Sequence, residues 1–315
     1  YWSGGRLKPE SNVQFGEGGA GTFSDGKLTT GTKNPAQGFV LKSFVDAGAD
    51  PRIMYMQKPH IGTDVIRRAV INIRRTIEEL GGELRFNTKW EPGLIDTKCT
   101  ILALGHSARD SFETLYKAGF MIEQKPFSIG VRIEHRQEAI DLANYGARHE
   151  DLGIGPAEYK LSCRIDGRGV YSFCMCPGGV VVDSSSEEGY IVTNGMSYAA
   201  RDGEFANAAL LCDVRTDDFQ SEHPLAGMYF QRKYEALAYE KGGGRLPMGD
   251  AAFEALQQVF GIIKLTRAAA CEKDADAIVE KAKSYLSEEL RAARSFKVES
   301  KRSDKRFPLT SIQLS

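Results

Sequence analysis

Between Asn12 and Thr30 the chain reads Asn-Val-Gln-Phe-Gly-Glu-Gly-Gly-Ala-Gly-Thr-Phe-Ser-Asp-Gly-Lys-Leu-Thr-Thr. This run restricts the fold more than any other. Glycine admits positive φ and close approach of the backbone to a ligand, and it loses more conformational freedom on folding than any other residue. Five glycines so close together (Gly16, Gly18, Gly19, Gly21 and Gly26) therefore specify a loop rather than a regular helix or strand. Successive N–H groups in such a loop form concavities that attract anionic or electron-rich groups. The embedded Phe15, Phe23 and Leu28 distinguish it from a mobile Ser/Gly-rich surface loop. A ligand-cradling loop is the expectation.

A phosphate loop is the first specific form to test, because Gly21-Thr-Phe-Ser-Asp-Gly26-Lys27-Leu28 nearly matches G-x-x-x-x-G-K-[ST]. Leu28 supplies no hydroxyl for magnesium, and Gln14-Phe-Gly-Glu-Gly is not the buried strand that the motif requires. A nucleoside-triphosphatase is set aside. The wider composition excludes other classes. In 315 residues, long enough for about two domains, the formal net charge is only -1. That balance points to neither nucleic acid nor a membrane surface, and no apolar run approaches the roughly 20 residues of a membrane helix. The first residues, Tyr-Trp-Ser-Gly-Gly-Arg, lack a signal-peptide pattern and an initiator Met, so the chain is expected to begin partway into a longer protein. Cys99, Cys163, Cys174, Cys176, Cys212 and Cys271 are scattered, mostly in apolar strand-like runs. Reduced core thiols in a cytoplasmic protein, and no disulfide framework, are expected.

The hydrophobic pattern first reads as α/β. A short helix is expected from Phe39 to Val45. A long one should run from Thr63, its candidate cap, to Leu80, with an apolar stripe of Val65, Ile66, Ala69, Val70, Ile73, Ile77 and Leu80. Short strands are expected at Glu83–Thr88 and Cys99–Leu104, the latter a buried strand of a parallel sheet, followed by a helix from about Ser107 to Lys117. Beyond Lys125-Pro126 the period changes to 2. Strands are expected at Phe127–Ile133, Tyr159–Ile165, Val170–Cys176, Val180–Asp183, Tyr190–Met196 and Ala206–Val214. Helical patterns return at Leu225–Glu240, Ala251–Lys264 and Asp274–Phe296, before a frayed basic stretch, Lys297–Arg306. The resulting division is 1–124, a β-rich 125–222, and a helical 223–315.

Three further motifs carry chemistry. In Leu102-Ala-Leu-Gly105-His106-Ser107-Ala-Arg109-Asp110 an apolar strand runs through glycine into a helix, a place where open α/β sheets bind ligands. His106, Ser107 and Arg109 would face that crevice. Equally, Ser107 only caps the helix and Arg109 only pairs with Asp110 or Glu113. Cys174-Met175-Cys176 places two thiols at i and i+2, a spacing that fits no zinc pattern, and no metal site is expected. The thiols are either a redox pair facing a cofactor or small residues lining a pocket. Asn194-Gly195-Met196-Ser197 and Ala200-Arg201-Asp202-Gly203 are either cavity-lining loop ends or ordinary turns, and His60 stands just ahead of the long helix.

Ser11–Leu28, Lys58-Pro-His-Ile-Gly-Thr-Asp, Leu104-Gly-His-Ser-Ala-Arg-Asp, Tyr171-Ser-Phe-Cys-Met-Cys-Pro-Gly-Gly and Asn194-Gly-Met-Ser together resemble one family. It comprises the bacterial NAD(P)/FAD-dependent oxidoreductases (FAD-dependent dehydrogenases) distantly related to glutathione-reductase-like flavoproteins. The resemblance covers roughly residues 1–245. It implies part of an FAD-binding Rossmann-type domain, a β-rich (α+β) substrate or cap domain, and a helical C-terminal part. The family's G-x-G-x-x-G nucleotide turn is expected to precede Tyr1. By the same resemblance Gly18, Gly19, Gly21, Ser24, Asp25 and Lys27 lie against FAD, with Gly105, His106 and Ser107 close by. Cys174, Cys176, Asn194 and Arg201 become substrate-side candidates for an unknown small molecule, with NAD(P)H a candidate electron donor. The implied activity is hydride transfer. The alternative is a non-catalytic binding or regulatory remnant that has lost FAD.

Overall fold

The structure is a computed structural model that describes residues 7–30 and 34–244, together with Ala277, Glu280, Lys281 and Lys283. The chain divides into two compact units, Tyr1–Ile263 and Lys264–Ser315. In the second, the four described residues are helical. The helix expected at 251–264, most of that at 274–296, and the frayed stretch at 297–306 lie outside the described residues. Everything below concerns the first unit.

The glycine run forms a 3₁₀ turn, Gly19–Phe23, followed by extended chain. Helix α1 spans Ala36–Asp46 and α2 spans Thr63–Glu79. They meet through Leu41, Ala49, Ile53, Ile61 and Ile66, with Leu28, Phe44, Val65 and Val70 packed around them. The apolar stripe read from the sequence is buried only at its amino-terminal half. Ile77 and Leu80 stand 42% and 83% exposed, because nothing described packs over the last turn of α2. Thr63 is not the cap. It is the first helical residue, preceded by Gly62, and its hydroxyl donates to the Thr22 carbonyl at 2.5 Å.

Residues 81–108 correct two expectations. Neither 83–88 nor 99–104 forms a strand; both are irregular, and Ile101 is 86% exposed. An extended segment becomes a strand only when a neighbour takes up its N–H and C=O groups, and among the described residues none lies alongside. The parallel, Rossmann-type sheet expected in this region therefore has no strand among the described residues. Cys99, placed in that sheet by the sequence reading, is an exposed thiol, as is Cys163.

Helix α3, Arg109–Lys117, leads to the antiparallel part. Strands β1 (Phe127–Arg136), β2 (Ser162–Ile165), β3 (Arg168–Cys176) and β6 (Phe205–Val214) form one sheet in the order β1-β6-β3-β2. Strands β4 (Val180–Asp183) and β5 (Thr193–Met196) form a separate hairpin pair. The protein is thus a mixed α/β chain of α+β type, with antiparallel sheets. Period-2 alternation located these strands because all but β2 set part of one face against the interior; β2 is exposed at all four residues. Val214, Phe219 and Ala226 make one such core, with Phe127 stacked on Phe219 at 5.5 Å. Met175, Ala206 and Ala208 make another, beneath Ile140 and Tyr159.

Two short helices had no expectation: α4 (Gln137–Tyr145) and α5 (His149–Leu152). Their anchors are polar rather than apolar. Gln137 and Asp141 are buried, and Asp141 accepts from Gln137 Nε2 at 2.8 Å, Ala157 N at 2.9 Å and His149 Nδ1 at 2.6 Å. Helix α6 (Ala226–Lys241) is the last described element of this unit, with Gly242 as its C-cap. Among the described residues no helix is long and apolar enough to cross a membrane.

Candidate functional site

Four segments distant in sequence converge on Asp25. Its carboxylate is fully buried. It accepts from Arg201 Nε at 2.9 Å and Lys27 Nζ at 2.5 Å, and also from Arg201 Nη2 and the Ser197 hydroxyl. Burial pushes the Asp25 carboxyl up, but the Arg201 hydrogen bonds and the Lys27 and Arg201 charges outweigh it and hold the pKa at about 2. Lys27 Nζ also reaches the Met175 carbonyl, and Arg201 Nη1 donates to Glu158 at 2.9 Å. Lys58 Nζ meets the same Glu158 carboxylate at 3.1 Å. The cluster holds three cations and two carboxylates, so it is left slightly positive.

Backbone contacts lock the glycine loop into this cluster. Gly62 N donates to Asp25 O at 3.2 Å, Ile61 N to Gly26 O at 3.0 Å, and Thr63 N to Ser197 O at 3.0 Å. Asn194 Nδ2 donates to Phe23 O at 3.2 Å. Ser24 closes the turn on itself, donating to Gly21 O at 2.8 Å and accepting from Gly26 N at 3.0 Å. The loop is therefore pinned along one side. At Gly16 and Gly21 the loop is open, and an added Cβ would meet nothing within 4 Å. Two buried polar atoms nearby have no hydrogen-bond partner, Thr22 Oγ1 and His60 Nδ1. His60 Nε2 faces the Ala199 carbonyl at 3.2 Å, and burial, then the Arg201 charge, lowers the ring's pKa.

Of the residues singled out from the sequence, Asp25, Lys27, Arg201 and Asn194 thus come together. Asp25, Lys27 and Arg201 spend their charges on one another. Cys174 and Cys176 stand at the edge of this cluster, through the Lys27 bond to Met175 between them. No hydrogen bond or ion pair described joins Gly105, His106 or Ser107 to this cluster, and His106 lies near Arg109 and Glu235. Ser107 does not cap α3, whose N-cap is Ala108 with no side-chain bond. Its hydroxyl faces His106 Nε2 at 3.4 Å. Arg109 points neither into a strand-end crevice nor to Asp110 or Glu113. It is 5% exposed and pairs with Glu187 at 2.5 Å and, through both terminal nitrogens, with Glu235 at 2.6 and 2.8 Å. That clamp ties α3 to α6.

Sequence reasoning passed over the supporting residues. Glu158, Arg132 and Asn207 carry no motif, and only tertiary proximity identifies them. One spacing was visible: Gly16-Glu17-Gly18-Gly19-Ala20-Gly21 is itself G-x-G-x-x-G. A dinucleotide turn must follow a strand and open a helix. This one follows bends and turns and enters a 3₁₀ turn, so the geometry of that motif is not formed.

With the arrangement described, likeness to known proteins can be placed on it. An uncharacterized protein of Clostridium beijerinckii is 49% identical over 261 residues, which cover 78% of this chain and 49% of that protein. Two probable tRNA sulfurtransferases match about a fifth of this chain each. That of Limosilactobacillus fermentum is 37% identical over 65 residues, and that of Alkaliphilus metalliredigens is 41% identical over 68. These stretches cover 16% and 17% of those two proteins. The chain spans about half the length of the first relative and under a fifth of the others. A family described as FAD-dependent protein, C-terminal domain-like, matches residues 126–291, which contain β1 to β6, Cys174, Cys176 and Arg201. The chain belongs to this flavoprotein-related family.

Proposed function

We propose that this chain is part of an FAD-dependent oxidoreductase whose flavin lies against the open side of the glycine loop. One observation carries the reading: the loop is pinned from behind by Asp25, Arg201 and Asn194, while its Gly16 and Gly21 side stays open. The unpartnered Thr22 Oγ1 and His60 Nδ1, and the slight positive balance of the cluster, suit an electron-rich ring or a phosphate. When bound, FAD supplies hydride-transfer chemistry. The chain's own residues position it. Backbone at Gly18, Gly19 and Gly21 permits close approach, and Ser24, Asp25 and Lys27 hold that backbone in place.

Residues 1–124 are proposed to form part of the FAD-binding lobe, in which the exposed apolar run 99–104 would join a Rossmann-type sheet. Residues 125–222 would form the substrate lobe and 223–315 a helical part. The substrate is proposed to be a small molecule, NAD(P)H a candidate donor, and the compartment the cytoplasm, in keeping with five described thiols that are all free.

Adding FAD to the chain is expected to give a yellow protein that bleaches on anaerobic reduction. Gly21→Val is then expected to abolish flavin retention while leaving far-ultraviolet circular dichroism unchanged, since a Cβ at this position meets no protein atom within 4 Å. A colourless chain that leaves FAD fluorescence unquenched would favour the non-catalytic remnant instead.

A further inference from the structure

Strand β3 breaks its register against β6 between Phe173 and Cys176. Such a bulge re-aims side chains and is common beside active sites. Here it forces Cys174 into the left-handed region at φ 47°, a conformation that costs an ordinary L-residue of order 1 kcal/mol or more. The distortion turns the Cys176 thiol back onto the backbone of Cys174. Cys176 is fully buried and its Sγ donates to the Cys174 carbonyl at 3.3 Å, whereas Cys174 is half-exposed.

The surroundings are cationic and incompletely paired. Arg132 Nη1, from β1, reaches the Cys174 carbonyl at 3.3 Å and Asn207 Oδ1 at 2.6 Å. Asn207 faces Cys176 directly across the ladder and is fully buried, yet its Nδ2 donates to nothing, and the Arg132 Nε is likewise unpartnered. A buried amide donor without an acceptor costs about 1–3 kcal/mol. It marks a place able to accept a hydrogen-bonding group. Lys27 stands on the other side, through the Met175 carbonyl, with Asp25 behind it.

We propose that Cys174 and Cys176 form a redox-active dithiol that exchanges with small organic disulfides, Cys174 as nucleophile and Cys176 as resolving thiol. The Cys174 thiolate attacks one sulfur of RS–SR, forming the mixed disulfide and expelling RS⁻. Cys176 then passes its proton to the departed RS⁻ and attacks the Cys174 sulfur, closing the Cys174–Cys176 bond and expelling the second RS⁻. The dithiol is oxidised by two electrons and the external disulfide is reduced to two thiols. The electrostatics assign the order of attack. When Cys174 ionises, the Cys176 S–H turns from the Cys174 carbonyl to the thiolate, the main cause that brings Cys174 down to about 6, helped by the Lys27 and Arg132 charges against burial and Asp25. The same contact, with burial, pushes Cys176 up. A thiolate next to cations is the reactive form.

The test treats the reduced chain with glutathione disulfide, then maps the cysteines by alkylation and peptide mass spectrometry. The expected product is an intramolecular 174–176 disulfide, formed before the exposed Cys99 and Cys163 are modified. Iodoacetamide labelling of Cys174 should rise with a midpoint near pH 6. In Cys176→Ser the glutathione adduct should persist on Cys174 and the midpoint should move upward. Preferential modification of Cys99 and Cys163, or a Cys174 midpoint above pH 8, overturns the proposal. Should Cys176→Ser fail to fold, the wild-type mapping and pH profile decide alone. This test is independent of flavin, so it can fail while the FAD reading stands.

Discussion

Replacing Arg201 with Met is expected to lower the free energy of unfolding by about 3–5 kcal/mol, the usual cost of breaking a buried ion pair from one side. Arg201 gives Asp25 two hydrogen bonds, and both side chains are buried. Lys27 and Ser197 would remain as partners, which sets the expectation toward the lower end. Removing both charges in Asp25→Asn with Arg201→Met should recover part of the loss, because no uncompensated carboxylate is left inside. Urea denaturation of the wild type, both single variants and the double variant measures this coupling. Additive losses would show that the pair does not act as a unit.

The same cluster gives a pH dependence of defined sign. The folded-state pKa of Asp25 is about 2, below its ordinary 3.8. The stabilising contribution is therefore whole above about pH 5 and is lost as the pH falls through about 2. A shift of that size corresponds to about 2 kcal/mol. In Asp25→Asn the acid limb of stability between pH 5 and 2 should flatten. An unchanged acid limb would mean that other carboxylates govern it.

Gly62→Ala is the second large effect, expected to cost about 2–5 kcal/mol. Gly62 sits at φ 80°, and a Cβ there would come closer than 3.0 Å to the backbone of Tyr198 and Ala199. With ψ at 153° this backbone lies in a region that is essentially reserved to glycine, and holding another residue there costs about 1–2 kcal/mol. Displacing packed backbone adds roughly 1–3 kcal/mol more. Gly81→Ala is the comparison, a positive φ of 87° at the end of α2 where a Cβ would meet nothing within 4 Å. It should cost only the conformational share. Because Gly62 N also holds Asp25 O, limited proteolysis should cut the glycine loop faster in Gly62→Ala than in Gly81→Ala. Equal thermal shifts in the two variants would refute the close approach.

Legibility followed the physics of each segment. Strands β1 and β3 to β6 and helices α1, α2 and α6 could be read because each presents apolar residues with a clear period to the interior; β2, exposed throughout, was read from its sequence pattern alone. Helices α4 and α5 could not, since Gln137 and Asp141 anchor them through buried hydrogen bonds and a polar anchor leaves no periodic trace. Residues 99–104 misled in the opposite sense. Their composition is that of a buried strand, but a strand exists only with neighbours, and none is described beside it. The conformational strain at Cys174 and Arg201, φ 47° and 52°, was likewise invisible. Neither residue type announces a left-handed position.

Residue order alone determined that a glycine-rich loop exists near the amino end, that Asp25 and Lys27 lie within it, and that a β-rich stretch follows residue 125. These are local properties, set by backbone permissiveness and by hydrophobic period. Tertiary structure decided what those residues touch. It gave Asp25 to Arg201, 176 positions away, and Arg109 to Glu235, 126 positions away. It also faced Cys176 with Asn207 across the sheet. The reason is energetic. A buried charge or thiol takes its character from desolvation and from the groups within a few ångströms, and which groups those are depends on how distant segments pack.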